Sequence, residues 1–292
     1  MSSKRTAKRG PSDGSGASIR AEREPVHTFT RAGSTIHYWT VGEPGGPTVV
    51  LTHGVTLDHG TYAGQVPALR DAGYRVITWD LRGHGLSQPM GERFSVDSTA
   101  EDLAVLLEEA GVEGAVLVAQ SFGGLVALEL YRRSPERAAG LVLVGTPTPA
   151  ERIPWYQQVL QRVNLLVLRL VPERHLRGML PTFMSKREDV RRYVARTSQA
   201  LSKADMFTAN EAVLEGLQSA HPLERFDVDV LLICGEGETA IITRMMRAWA
   251  ERDGRVRLEV VDDAGHLANQ EEPVAFNEVL LGFLRQRLPV DG

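Results

Sequence analysis

A serine stands where an apolar β-like run passes into a helical pattern, in the stretch VLVAQSFGGLVALELYRRSPER from Val116 to Arg137. A hydroxyl at such a joint can serve as a nucleophile if the turn is sharp enough to lift it above the sheet. Small residues two before and two after Ser121 let backbone and helix approach closely, and Ala119 and Gly123 hold those positions. The spacing is AxSxG, a variant of the GxSxG turn in which the first glycine carries a methyl group. The helix that follows aims its unpaired amides and positive dipole end at the site, which favours developing negative charge. A weak nucleophile also needs a base. Of eight histidines, His266 in VVDDAGHLANQEEP falls directly after the last predicted strand and before the last predicted helix. His27 and His37 lie in an amino-terminal hairpin region, and His175 and His221 lie in a long insertion, where packing or surface roles are expected.

The stretch LTHGVTLDHG follows another predicted strand. Its His53, Asp58 and His59 do not have metal-ligand spacing, and no HExxH occurs, so no metal is expected. His53-Gly54 instead reads as a loop that leaves the Val55 amide facing the site as an oxyanion donor, with the Phe122 amide as the second. In WDLRGHGLS, His84 reads as turn chemistry, and Asp80 and Arg82 are expected to pair and hold that loop. The RGHG run lacks the lysine and spacing of a phosphate loop.

Positioning these residues requires a sheet whose carboxyl edge gathers them. The runs STIHYWTVG, PTVVLTHG, YRVITWD, GAVLVAQ, AGLVLVG, VDVLLICG and VRLEVVDD read as strands, the last six as apolar runs buried on both faces. Helical patterns separate them at about Tyr62–Ala72, Val96–Ala110, Phe122–Arg133, Thr239–Arg252 and Pro273–Arg287. This alternation predicts an α/β fold, a mostly parallel central sheet flanked by helices with right-handed crossovers. The helical, apolar residues 148–221 exceed any simple crossover and read as a cap inserted over the sheet's carboxyl edge. The expected organisation is a disordered tail over 1–25, a core formed by 26–147 and 222–292, and that cap.

Composition narrows the function classes. The chain has 292 residues, 42% hydrophobic and 24% charged, enough for a substantial core. The tail carries six basic and three acidic residues, so the rest holds 27 Lys and Arg against 34 Asp and Glu. A body of that charge is no nucleic-acid binder. The single Cys234 cannot form an internal disulfide, and the tail has no signal-peptide core, so a cytoplasmic location is expected. No apolar run reaches the length of a membrane span. The expected partner is a small-molecule substrate, with no cofactor, nucleic acid or membrane; the oligomeric state is left open.

Together, HGV, DLRGHGLS, QSFGG and AGHLANQEEP, in that chain order, resemble the α/β-hydrolase superfamily over about residues 26–288. The resemblance implies a Ser, acid and His triad, an oxyanion hole of two backbone amides and a cap that sets substrate choice. It places the acid three residues past the glycine of VLLICG, usually as Asp; here Glu238 stands there, with Glu236 as the nearby alternative. The other position used for the acid, after GLVLVG, reads Thr146-Pro147-Thr148 and offers no carboxylate. The expected activity is hydrolysis of a carboxylic ester or lactone of a small to medium apolar substrate, with Trp155, Phe183 and Met184 among the apolar cap residues expected to contact it. Carbon-carbon bond hydrolysis, aminopeptidase activity and non-enzymatic ligand sensing use the same scaffold and remain alternatives. Dehalogenases and epoxide hydrolases need a carboxylate nucleophile, against which Ser121 argues.

Overall fold

A computed structural model describes residues 26–147, 155–219 and 226–290. The expected tail over 1–25, His221 and the expected cap boundaries lie outside the described residues. The strands are β1 (Val26–Arg31), β2 (Ser34–Val41), β3 (Thr48–Thr52), β4 (Arg75–Trp79), β5 (Ala115–Gln120), β6 (Ala138–Val144), β7 (Val230–Gly235) and β8 (Val256–Val261). They form one sheet in the order β1-β2-β4-β3-β5-β6-β7-β8. β1 and β2 pair antiparallel with each other, as do β2 and β4, and every later pairing is parallel.

Strand side chains alternate between two cores. Val50, Leu117, Leu141 and Leu232 face one side, against Leu103 and Leu106 of α2 (Val96–Glu109), Leu125 and Val126 of α3 (Phe122–Arg133) and Trp249 of α8 (Ala240–Arg252). Leu51, Val118, Val142 and Ile233 face the other, against Leu69 of α1 (Val66–Asp71) and Phe276, Leu280 and Phe283 of α10 (Pro273–Arg287). That division is why β3, β5 and β7 are buried throughout and apolar at nearly every position. β8 departs from the expectation of burial on both faces. It is the sheet's edge, and Arg257, Glu259 and Val260 are exposed. The first helix is also shorter than expected: a 3-10 turn covers His59–Tyr62, and α1 starts at Val66.

Among the described residues four helices stand between β6 and β7: α4 (Trp155–Leu170), α5 (Glu173–Met184), α6 (Glu188–Ser198) and α7 (Lys203–Ser219). Val190 and Val194 of α6 form a cluster with Leu57 and Leu267, against which Leu180, Met184 and Tyr193 pack. Leu57 follows β3 and Leu267 follows β8, so α5 and α6 lie over the sheet's carboxyl edge. Tyr193 donates to Asp58 Oδ1 at 2.7 Å, and Arg187 pairs with Glu272 at 2.7 Å across the same junction. Met206 and Ala209 of α7 join the main core. A short helix, α9 (Ala268–Glu271), lies between β8 and α10.

The loop after β4 is held differently from the expected Asp80–Arg82 pair. Arg82 Nε donates to Asp102 Oδ2 on α2 at 2.6 Å, and Arg31 reaches Asp102 Oδ1 at 2.9 Å. Asp80 accepts instead from the His59 amide at 2.7 Å, from His59 Nδ1 at 2.8 Å and from the Leu86 amide at 2.7 Å. The reason is reach: the turn points Arg82 back toward α2, whereas Asp80 caps the loop from within. Asp102 is fully buried and Arg82 nearly so. Asp102→Asn should therefore lower unfolding free energy by roughly 3 kcal/mol or more, because it leaves a buried guanidinium without its counter-charge; urea denaturation of the two proteins measures the difference.

Candidate active site

Every residue of the site sits at the carboxyl end of a strand. Ser121 follows β5 and has φ 53° and ψ −117°, a left-handed conformation that few non-glycine residues adopt. The surrounding structure enforces it: the Ser121 amide donates to Val144 O at 2.8 Å, and the Gly124 amide donates to Ser121 O at 3.0 Å. Gly123 allows the helix to approach β3, since a Cβ there would fall 2.6 Å from the carbonyl oxygens of both Thr52 and His53. Ala119, at the other expected small position, is fully buried in the core.

His266 follows β8, and Glu238 follows β7. Glu238 Oε2 accepts from His266 Nδ1 at 2.8 Å, and Glu238 Oε1 accepts from the Thr239 amide at 2.7 Å. Burial alone would raise the Glu238 pKa, but the hydrogen bond and charge of His266 and the Thr239 amide outweigh it and hold the carboxyl below the usual glutamate range. Glu236 is exposed, and its carboxylate accepts from the Asp263 amide at 3.5 Å. Of the two glutamates considered from sequence, Glu238 is thus the one at the imidazole.

Two residues at the site were not singled out in the sequence. The fully buried Gln120 places its Nε2 at 3.2 Å from His266 Nε2. With Nδ1 donating to Glu238, Nε2 is the lone-pair nitrogen, so the amide donates to it. Gln120 Oε1 is buried with no partner among the described residues. Among those residues the Ser121 hydroxyl makes no hydrogen bond to His266; Gln120, its chain neighbour, links the elbow to the base. The signal in the sequence was a polar residue ending an otherwise apolar strand. The second is Gly145, φ 50°, directly after β6. A Cβ there would lie 2.8 Å from Glu238 Oε2 and 3.1 Å from His266 Nδ1. Gly145→Ala should therefore part the pair and lower kcat about a hundredfold, a loss in keeping with an ångström of misplacement. Steady-state kinetics on the variant, with circular dichroism as the control for folding, tests this.

The Val55 loop is fixed from below. His53 Nδ1 donates to Gly54 O at 2.7 Å, and His53 Nε2 accepts from the Leu81 amide at 3.0 Å, which uses both ring nitrogens in one neutral tautomer. Burial lowers the His53 pKa and pulls that of His84 down to about 3, so both rings stay uncharged near neutral pH. Gly54 abuts the elbow, where a Cβ would meet Gln120 Oε1 at 2.3 Å and Ser121 Cβ at 3.1 Å. The Phe122 amide opens α3 and has no intrahelical acceptor.

The three expected cap contacts divide. Met184 packs beside Leu57 and Leu267, next to the site loops. Trp155 and Phe183 are 74% and 78% exposed, so neither forms the wall of an enclosed pocket.

A family model described as the alpha/beta hydrolase fold matches residues 47–273. The AB hydrolase superfamily protein YfhM of Bacillus subtilis is 27% identical over 275 residues, covering 87% of this chain and 96% of that protein. The 3-oxoadipate enol-lactonase 1 of Acinetobacter baylyi is 26% identical over 271 residues, covering 91% and 98%. Among solved structures, a thermophilic esterase from Thermogutta terrifontis superposes with a TM-score of 0.72 at 24% identity, covering 90% of this chain and 99% of that one. That last likeness is one of fold.

Proposed function

The chain belongs to the alpha/beta hydrolase family, and on that premise we propose that it is a serine hydrolase cleaving a carboxylic ester or lactone of a small to medium apolar substrate. The observation that carries this reading is the buried Glu238 paired at 2.8 Å with His266 beside a serine held at φ 53°. The enol-lactonase relative supports the choice of bond.

In the proposed reaction Gln120 releases His266 Nε2 to the Ser121 hydroxyl. His266 takes the hydroxyl proton as Ser121 Oγ bonds to the substrate carbonyl carbon. The resulting oxyanion is held by the Val55 and Phe122 amides, each worth about 3 kcal/mol of barrier. Collapse breaks the ester C–O bond, and the proton on His266 passes to the leaving alkoxide. A water molecule, deprotonated by the same imidazole, then attacks the acyl-enzyme, and Ser121 departs with the proton. Glu238 keeps Nδ1 protonated and stabilises the imidazolium that forms in each half-reaction. Met184 is the proposed cap contact, and an unpaired, buried Cys234 suits a cytoplasmic location.

A panel of activated esters of graded acyl length, with lactones and aminoacyl amides, tests the assignment. Burst release followed by steady turnover of esters or lactones is expected. Tight, saturable binding without turnover would instead favour ligand sensing, a reading with one observation behind it: Gln120 occupies the nitrogen that Ser121 needs.

A further inference from the structure

The helix α4 wears its polarity inside out. Trp155, Leu160, Val163, Leu166, Val167 and Leu170 are all exposed, Leu170 at 84%. The side facing α7 is polar: Arg162 donates to Gln218 Oε1 at 2.9 Å, Arg169 pairs with Glu211, and Lys203 of α7 donates to Arg169 O at 2.8 Å. A surface helix ordinarily turns its apolar stripe to the core. At 100° per residue the outward apolar side chains fall within an arc of about 140°, wider than the two-column seam of a helix pair. Phe183 and Met179, one turn apart on α5, add further exposed apolar surface to the same four-helix insertion.

Charge selects the occupant of this face. Residues 155–219 carry ten Arg and Lys against six Asp and Glu, in a chain whose net charge is −4. The insertion is therefore a basic pole on an acidic body. A second copy would set two such poles against each other, and residues 1–25 contain no apolar run to cover the stripe. An anionic lipid surface satisfies both features: acyl chains take the broad apolar arc, headgroups meet the net positive charge of the insertion, and an exposed Trp155-Tyr156 pair at the helix start suits the boundary between them.

We propose that α4 docks the protein onto anionic membrane surfaces, lying in the plane of the interface with its Arg162 and Arg169 side on α7. No described helix is long and apolar enough to cross a membrane, so the contact is peripheral. This revises the sequence expectation that no membrane is a partner. It does not depend on the catalytic reading.

The chain supplies its own probe. Trp39, Trp79 and Trp249 are buried, which leaves Trp155 as the exposed indole. The full-length protein should cosediment with vesicles of equimolar phosphatidylcholine and phosphatidylglycerol, less so as salt rises, with a blue shift in tryptophan emission that Trp155→Phe removes. Pure phosphatidylcholine vesicles should bind at least tenfold more weakly. The double variant Leu160→Glu, Leu166→Glu should lose at least tenfold in affinity for the mixed vesicles with an unchanged melting temperature, since both side chains already face solvent. Failure of the wild-type protein to bind the mixed vesicles would overturn the proposal. So would retention of full binding by the double variant, or sedimentation showing a dimer that the double variant dissociates.

Discussion

Ser121→Ala should leave the melting temperature within about a degree of the wild type and lower ester turnover by a factor on the order of 10^5 or more, with no burst of released alcohol. The two halves of that expectation have separate grounds. Alanine keeps the Cβ that the elbow already accommodates at φ 53°, so the backbone strain is unchanged. The hydroxyl makes no hydrogen bond among the described residues, so its removal strands no buried partner. What is lost is the oxygen proposed to form the acyl-enzyme. The Val55 and Phe122 amides remain, and in the proposed reaction they would sustain a residual rate above that of water. A protein that retained wild-type turnover after this change would not be a Ser121 hydrolase.

Glu238→Gln is expected to lower kcat by about 10^4 with a much smaller effect on KM. A neutral amide can donate as well as accept, so it no longer dictates that His266 carries its proton on Nδ1 with the lone pair on Nε2. It also withdraws the negative charge that stabilises the imidazolium. The same substitution has a signature in stability. Because the folded protein holds the Glu238 carboxyl below its ordinary value near 4.5, the ionised form favours folding. That contribution is complete above the ordinary value and is lost as pH falls through the depressed folded value. Wild type should therefore lose stability more steeply than Glu238→Gln below about pH 4.5, and the two curves should run parallel above it. Thermal melts across that range measure the divergence, while kcat is measured near neutral pH.

Much of the architecture was readable because burial writes itself locally. β3, β5 and β7 each present apolar residues to two cores, so their sequences are continuous apolar runs, and the ends of α2, α3 and α10 match their patterns within a residue. Ser121 and His266 were readable for the same reason: each immediately follows a strand whose end is clear. Side-chain partnerships were harder, since they join distant segments. Arg82 finds Asp102 on α2 rather than Asp80, and nothing in the RGHG turn specifies that reach. Gly145 matters because of two side chains that arrive from beyond the inserted helices. Gln120 reads as one more strand residue until the imidazole of His266 is placed beside it. On α4, periodicity reveals an apolar stripe but not which way it faces. The expectation that Trp155 touches substrate assumed an inward face, and the pairing of Arg162 and Arg169 with α7 turns it outward.

The most direct measurement is intact-mass and peptide analysis after treatment with a fluorophosphonate, which phosphonylates an activated serine oxygen and leaves a stable adduct. One adduct per chain is expected, on the peptide containing Ser121, formed more slowly in Glu238→Gln and absent in Ser121→Ala. An ester-hydrolysing wild-type protein that stayed unlabelled, or a Ser121→Ala protein labelled to the same extent, would contradict it.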